Sequence, residues 1–221
     1  MFIFIRSDAM STVTKIHLSP QEMELVNNTG WILAKQQIIK KVFELFGDIN
    51  AEMKKAVQPY QHLFPVSMRS GNGKITKGEN YRSLPYVMLD FPAFFEKENI
   101  LAIRTMFWWG NFFSITLQVS GIHQQKFTRA EKDMLAFLQK NEFFICVNGD
   151  QWQHHFEPEN YISALQLSLH QFQEMLDKHF FKVSKKTALS EWEHAGEFLT
   201  NAFGEILQFL EISCQGGKTS P

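Results

Sequence analysis

Apolar positions along the chain fall into three regimes. From Ser19 to about Val57 they recur every three or four residues. Ile38, Val42, Leu45, Ile49 and Met53 make one stripe, which predicts a helix with a single buried face. Asn27, Asn28 and Gly30 break this region into a short and a long helix, and Gly47 weakens the middle of the long one. Near the C-terminus two more stripes appear. Ile162, Leu165, Leu169, Phe172 and Leu176 predict one helix; Trp192, Ala195, Leu199, Ala202, Ile206 and Phe209 predict another. The linker "FFKVSKKTAL" is short enough to fold these two back on each other, with "FFKV" readable as a short strand.

The middle of the chain is different. "LPYVMLDF", "ILAIRTMFW", "FFSITLQVS" and "FFICVNGDQWQHHF" are rich in β-branched and aromatic residues and read as strands. Asn148-Gly149 is a favoured two-residue hairpin turn. The pattern predicts an α+β fold in one domain spanning 1–221. It is an antiparallel meander of about five strands, packed by N-terminal and C-terminal amphipathic helices. A helix from Thr128 to Lys140 interrupts the meander before the last hairpin.

Helix starts are marked by capping boxes, in which a hydroxyl stands three residues before a glutamate: "SPQE" at Ser19, "TRAE" at Thr128 and "SEWE" at Ser190. Pro20 suits a first helical turn. Residues 58–83 show no periodicity and read as a long loop. The tail from Cys214 to Pro221 reads as frayed. At the other end, "FIFI" reads as a short edge strand or an extension over 1–9, with Met1 and Met10 both candidate starts.

The hairpin "RTMFWWGNFFSITLQVSG" fixes the sheet's parity. A two-residue turn mixes polar and apolar side chains on both faces. A three-residue loop, Trp109-Gly110-Asn111, places Leu101, Ile103, Thr105 and Phe107 with Phe113, Ile115, Leu117 and Val119 on one almost wholly apolar face. One slip moves each side chain across the sheet, so the clean pattern selects three. Asn111 is expected in the left-handed position. The opposite face then carries Ala102, Arg104, Met106 and Trp108 against Phe112, Ser114, Thr116 and Gln118. Alternation adds Tyr86, Met88 and Asp90 to it, with Tyr81 and Arg82 at its rim.

Composition narrows the function classes. Of 221 residues, 22 are basic and 23 acidic, a formal net charge of -1, so no basic surplus points to nucleic acid. No stretch approaches a membrane span, and "MFIFIRSDAM" lacks the charge order of a signal peptide. Two cysteines are too few for a disulfide scaffold, and Cys146 in "FFICV" reads as a buried thiol, which fits a cytoplasmic protein. The 22 phenylalanines supply a large aromatic core.

Few motifs carry chemistry. "GNGKIT" at Gly71–Thr76 hints at a phosphate loop, but Met68 stands where the first glycine belongs and Ile75 where the hydroxyl belongs. His154 and His155 are adjacent, so on a strand they face opposite ways. A metal would need His123, Asp90 or Glu157 from elsewhere, and no metal or other cofactor is expected.

"KGENYRSLPYVMLDFP", "RTMFWWGNFFSITLQVSG" and "EWEHAGEFLTNAF" together resemble a small family of uncharacterised bacterial proteins. That resemblance covers most of the chain and implies a cytoplasmic, single-domain protein, with no activity or site residue attached. The residues themselves lead to a non-catalytic binding or interaction module. Its site candidates are Arg104, Trp108, Met106, Phe112, Tyr86, Asp90 and Arg82. The expected ligand is a small anion or the acidic group of a protein partner, because an arginine among hydroxyls and aromatics clamps such groups. The alternative is a small enzyme such as a hydrolase, with Asp90 or a histidine as base beside Arg104. A homodimer through the same face is a third arrangement.

Overall fold

In the computed structural model, residues 16–69, 71–127 and 130–215 are described. Contacts divide the chain into two compact units, residues 1–39 and 40–221. In the first, helix α1 (Pro20–Asn27) opens with the Ser19 capping box: Ser19 Oγ accepts from Glu22 N at 3.2 Å and Glu22 returns to Ser19 N at 2.7 Å. Helix α2 (Thr29–Ala56) begins after Asn28, whose side chain accepts from Trp31 N. The unit boundary falls within α2. None of the described residues 16–39 is buried.

The larger unit is built on a seven-stranded sheet, antiparallel at every pairing, in the order β1-β2-β3-β4-β7-β5-β6. The strands are β1 (Lys74–Tyr81), β2 (Leu84–Phe95), β3 (Ile100–Trp108), β4 (Phe112–Ser120), β5 (Phe144–Cys146), β6 (Tyr161–Ser163) and β7 (Phe180–Ala188). The helices are the short α3 (Val66–Arg69), α4 (Glu131–Lys140), α5 (Leu169–Leu176) and α6 (Ala195–Gln215). The α+β class and the antiparallel sheet are as expected, with seven strands in place of about five.

The three-residue loop holds. Trp108 pairs with Phe112, Phe107 with Phe113 and Ile103 with Leu117, leaving 109–111 as the tip. Gly110, not Asn111, takes positive φ there (71°), as the residue without a Cβ does at least cost. Asn111 instead donates its side-chain amide to the Trp109 carbonyl at 2.9 Å.

Parity then distributes the layers. Ile103, Phe107, Phe113, Ile115, Leu117, Val119, Phe181 and Val183 are all buried on one face. Helix α6 covers it with Leu199, Ala202, Ile206 and Phe209, the predicted stripe. Phe209 lies 5.9 Å from Phe181 and 6.2 Å from Phe127, joining helix to sheet. In α2, Val42, Phe46, Ile49 and Met53 are buried, so the stripe runs through Phe46 more fully than through the half-buried Leu45.

Several expectations are corrected. "FFKVSKKTA" is no linker but the full strand β7, in the interior of the sheet against β4. The predicted helix from Ile162 to Leu176 is strand β6, a 3-10 turn and the short α5, capped by Ser168 and Gln171. Residues 189–194 form a 3-10 turn without a side-chain cap, so the Ser190 box is not realised and α6 starts at Ala195. The presumed loop 58–83 contains a 3-10 turn, α3 and edge strand β1. Asn148-Gly149 is no hairpin turn; the residues after β5 form a long loop, and β5 pairs with β6 and β7 instead. The positive-φ pair of a tight hairpin is Arg82-Ser83 (48° and 67°) between β1 and β2. Cys214 lies in α6 rather than in a frayed tail. The Thr128 cap, the "FIFI" stretch and residues 216–221 lie outside the described residues.

Phe209→Ala is expected to destabilise the protein by about 3–5 kcal/mol, since it removes a buried ring shared by helix and sheet. Urea denaturation with an unchanged m-value checks it.

Candidate functional site

Among the described residues, a polar loop covers much of the other sheet face, with the short α3 beside β2. Residues 147–160 reach Arg104, Gln118 and Lys182, and local bonds give the loop its shape. Asn148 and Asp150 side chains accept from the backbone N–H of Asp150 and Trp152, at 2.8 and 2.9 Å. Such side-chain turns compete with a strand ladder, which is why the hairpin reading fails here.

Three side chains from the sheet pin the loop. Tyr81 Oη accepts the backbone N–H of His154 at 2.6 Å and of His155 at 3.1 Å. Gln118 donates to Gln151 Oε1 at 2.9 Å. Lys182, fully buried, donates to the carbonyls of Gln151 (3.0 Å) and Gln153. Burial pushes its pKa down to about 8, with Arg104 adding repulsion against the opposing pull of Cys146 and Asp150.

Arg104 sits where the loop meets β2. Its Nε donates to Asp90 Oδ1 at 2.7 Å and its Nη2 to Asp90 Oδ2 at 3.0 Å, a bidentate pair between neighbouring strands. The side chains are 15% and 12% exposed. Arg104 Nη1 stands 3.4 Å from His154 Nε2, and the guanidinium lies 5.5 Å from the Phe95 ring centre. His154 is held neutral well below the usual imidazole range, first by burial and then by Lys182 and Arg104. Its ring therefore presents a lone pair where an imidazolium would be repelled.

A bulge opens space beside this pair. Asp90 faces Arg104, but the next pairing is Ala93 with Ala102, so β2 carries one extra residue at Phe91-Pro92. Pro92 has no N–H to give the ladder, and the Phe91–Pro92 peptide is cis. The resulting cavity of about 460 Å³ is walled by Asp90, Arg104, Pro92, Phe95, Met68 and Trp152, with Ser67, Asn72, Lys74 and Thr76 at its polar side. Lys54 Nζ donates to Asn72 Oδ1 at 2.8 Å, bringing another cation to the mouth.

Of the seven predicted site residues, the cavity brings together Arg104 and Asp90. Met106, Trp108 and Phe112 are buried with Met88 in a separate aromatic cluster under Tyr81, Tyr86 and Phe156. Tyr86 packs over Gly78, where a Cβ would come 2.5 Å from its ring, so glycine makes the room. Arg82, in the β1–β2 turn, pairs with Glu157 of the loop at 3.0 Å. His123 is buried against the Phe94 ring, away from His154, and neither ring nitrogen has a hydrogen-bond partner among the described residues.

Sequence reasoning missed Lys74, Thr76, Phe95 and Trp152. Lys74 and Thr76 alternate along "KITKGE" and pair with Asp90 and Met88. That alternation was the available signal, masked by the polarity of an edge strand.

No protein-family model, curated protein or solved structure matches the chain. Among the described residues, no helix is long and apolar enough to cross a membrane.

Two outcomes test these electrostatics. Arg104→Met alone should cost about 3–5 kcal/mol, because it strands a largely buried carboxylate, while adding Asp90→Leu should recover most of the loss in urea titrations. For Lys182, the unfolded chain holds a proton that the folded chain has released between pH 8 and 10.5. Wild-type stability should therefore gain on Lys182→Met as pH rises from 8 towards 10, and thermal melts of the two proteins across that range check the sign.

Proposed function

We propose that this chain is a cytoplasmic small-molecule binding protein whose site is the cavity beside the Arg104–Asp90 pair. The ligand is a compact anion with an apolar body. The observation that carries this reading is the pair itself: an ion-paired guanidinium in the wall of a 460 Å³ cavity, framed by the Phe95 and Trp152 rings. Small-ligand sites combine apolar walls with a few fixed polar groups in this way.

Charge supports an anion. The lining holds two cations, Arg104 and Lys74, against one carboxylate, Asp90. Lys74 is exposed, so its ammonium is free to move toward a carboxylate or phosphate at the mouth. The ligand's apolar part would lie against Phe95, Pro92 and Met68, with the half-exposed Trp152 at the rim.

The hydrolase reading is weaker on the same geometry. A general base needs a free lone pair aimed at its substrate. Both Asp90 oxygens accept from Arg104, and His154 Nε2 faces Arg104 Nη1. These groups are committed to one another, which suits holding a ligand more than moving its proton.

A calorimetric or thermal-shift screen of small carboxylates and phosphate esters tests the reading. Compounds that stabilise the wild type should lose roughly tenfold or more in affinity in Lys74→Met and in Trp152→Ala, a loss of about 1.4 kcal/mol or more. Neither substitution removes a buried partner. A screen in which no small anion saturates the wild type, or in which both variants bind as well, defeats it.

A further inference from the structure

We infer that His155, Glu157 and Glu159 form a binding site for a divalent first-row metal ion such as zinc, on the outer side of the loop that covers the sheet. The three donor atoms converge. His155 Nε2 stands 3.3 Å from Glu159 Oε1 and 3.6 Å from Glu157 Oε2, and all three donors lie within 4.8 Å of one another. In a tetrahedral zinc site with bonds of about 2.0–2.1 Å, neighbouring ligand atoms stand about 3.3 Å apart. The two distances from His155 Nε2 are close to that edge.

The set is more than a patch of acids. The His155 side chain is 6% exposed and forms the floor, whereas Glu157 and Glu159 are 49% and 61% exposed and form the rim. The imidazole aims Nε2 out of the protein between two carboxylates. Beyond those carboxylates, Nε2 has no partner among the described residues. One nitrogen and two oxygens, with the outer side open to water, match a borderline divalent ion better than calcium, which takes six to eight oxygens.

The ring is held from behind. Its Nδ1 faces Tyr81 Oη at 3.4 Å and Asn160 Nδ2 at 3.5 Å. The His155 backbone N–H donates to the same Tyr81 oxygen, and its carbonyl accepts from Asn160 Nδ2. With Nδ1–H donated to Tyr81 Oη, the outer Nε2 keeps its lone pair for the metal, and the Asn160 contact to the carbonyl fixes the backbone behind the ring. A turn supplies the carboxylates: Asn160 N and Tyr161 N both donate to the Glu157 carbonyl, folding Glu157 and Glu159 back toward the ring.

Arg82 is the built-in competitor. Its Nη1 donates to Glu157 Oε2 at 3.0 Å, so a metal must share or displace that contact. This gives the site a signature that a purely structural cluster lacks: removing Arg82 should tighten the metal while removing either glutamate loosens it.

The test is titration of the full chain with Zn²⁺ by calorimetry and with Co²⁺ by visible absorption. The expected result is one saturable ion per chain, with a cobalt spectrum free of thiolate charge transfer. Glu157→Gln and Glu159→Gln should each weaken binding by roughly tenfold or more, and Arg82→Ala should strengthen it. Both glutamates are largely exposed, so the variants are expected to melt like wild type without metal. Absence of saturable binding, binding unchanged in both glutamine variants, or a cobalt–thiolate band from Cys146 or Cys214 would overturn the site. The anion site shares none of these three ligands, so failure of either proposal leaves the other standing.

Discussion

A cation buried on a sheet must find oxygen, and Lys182 finds it in the backbone of the loop above. β7 lies inside the sheet, so its alternate residues must serve either the helical layer or the opposite face. Phe181 and Val183 go to the helices, and Lys182 and Ser184 go the other way. An ammonium there without partners would cost several kcal/mol. The carbonyls of Gln151 and Gln153 remove that cost, and Tyr81 and Gln118 complete the attachment. The loop's position follows from satisfying the sheet.

The same constraint places the chemistry. Arg104 is tied to Asp90 on one side and faces a neutral His154 on the other. A protonated His154 would confront both Arg104 and Lys182, so burial and two neighbouring cations act together to keep it neutral. The cavity lies beside the pair where Phe91 and Pro92 drop out of the β2–β3 ladder and β2 carries one extra residue.

Parity was the most legible feature of the sequence. Alternation in β3 and β4 is nearly free of exceptions, and the three-residue tip, the Arg104 face and the partnership of Asp90 with it follow from counting residues. What was hidden had a common cause. β1 and β7 carry charged residues, so they do not look like strands, yet β7 is interior because Lys185 reaches Glu205 on α6 at 2.7 Å and Lys182 reaches the loop. The loop itself was misread because its apolar and aromatic residues mimic a hairpin, while Asn148 and Asp150 direct the backbone into side-chain turns. Met106, Trp108 and Phe112 were placed on the correct face, but no alternation pattern can show that Tyr81, Tyr86 and Phe156 close over them.

Because one loop carries Trp152 at the cavity and His155 at the proposed metal site, the two places are mechanically related. They stand three positions apart in the chain, and both depend on Tyr81 and Lys182 holding the intervening backbone. An ion that orders His155, Glu157 and Glu159 would favour the loop conformation that also shapes the cavity wall. An anion seated against Trp152 would favour the same conformation from the other end. Linkage makes any such coupling reciprocal: if the ion raises affinity for the anion by some factor, the anion must raise affinity for the ion equally. Any such coupling would run through the Lys182 contacts, since loosening them would separate the loop from the sheet before either ligand's own contacts are touched.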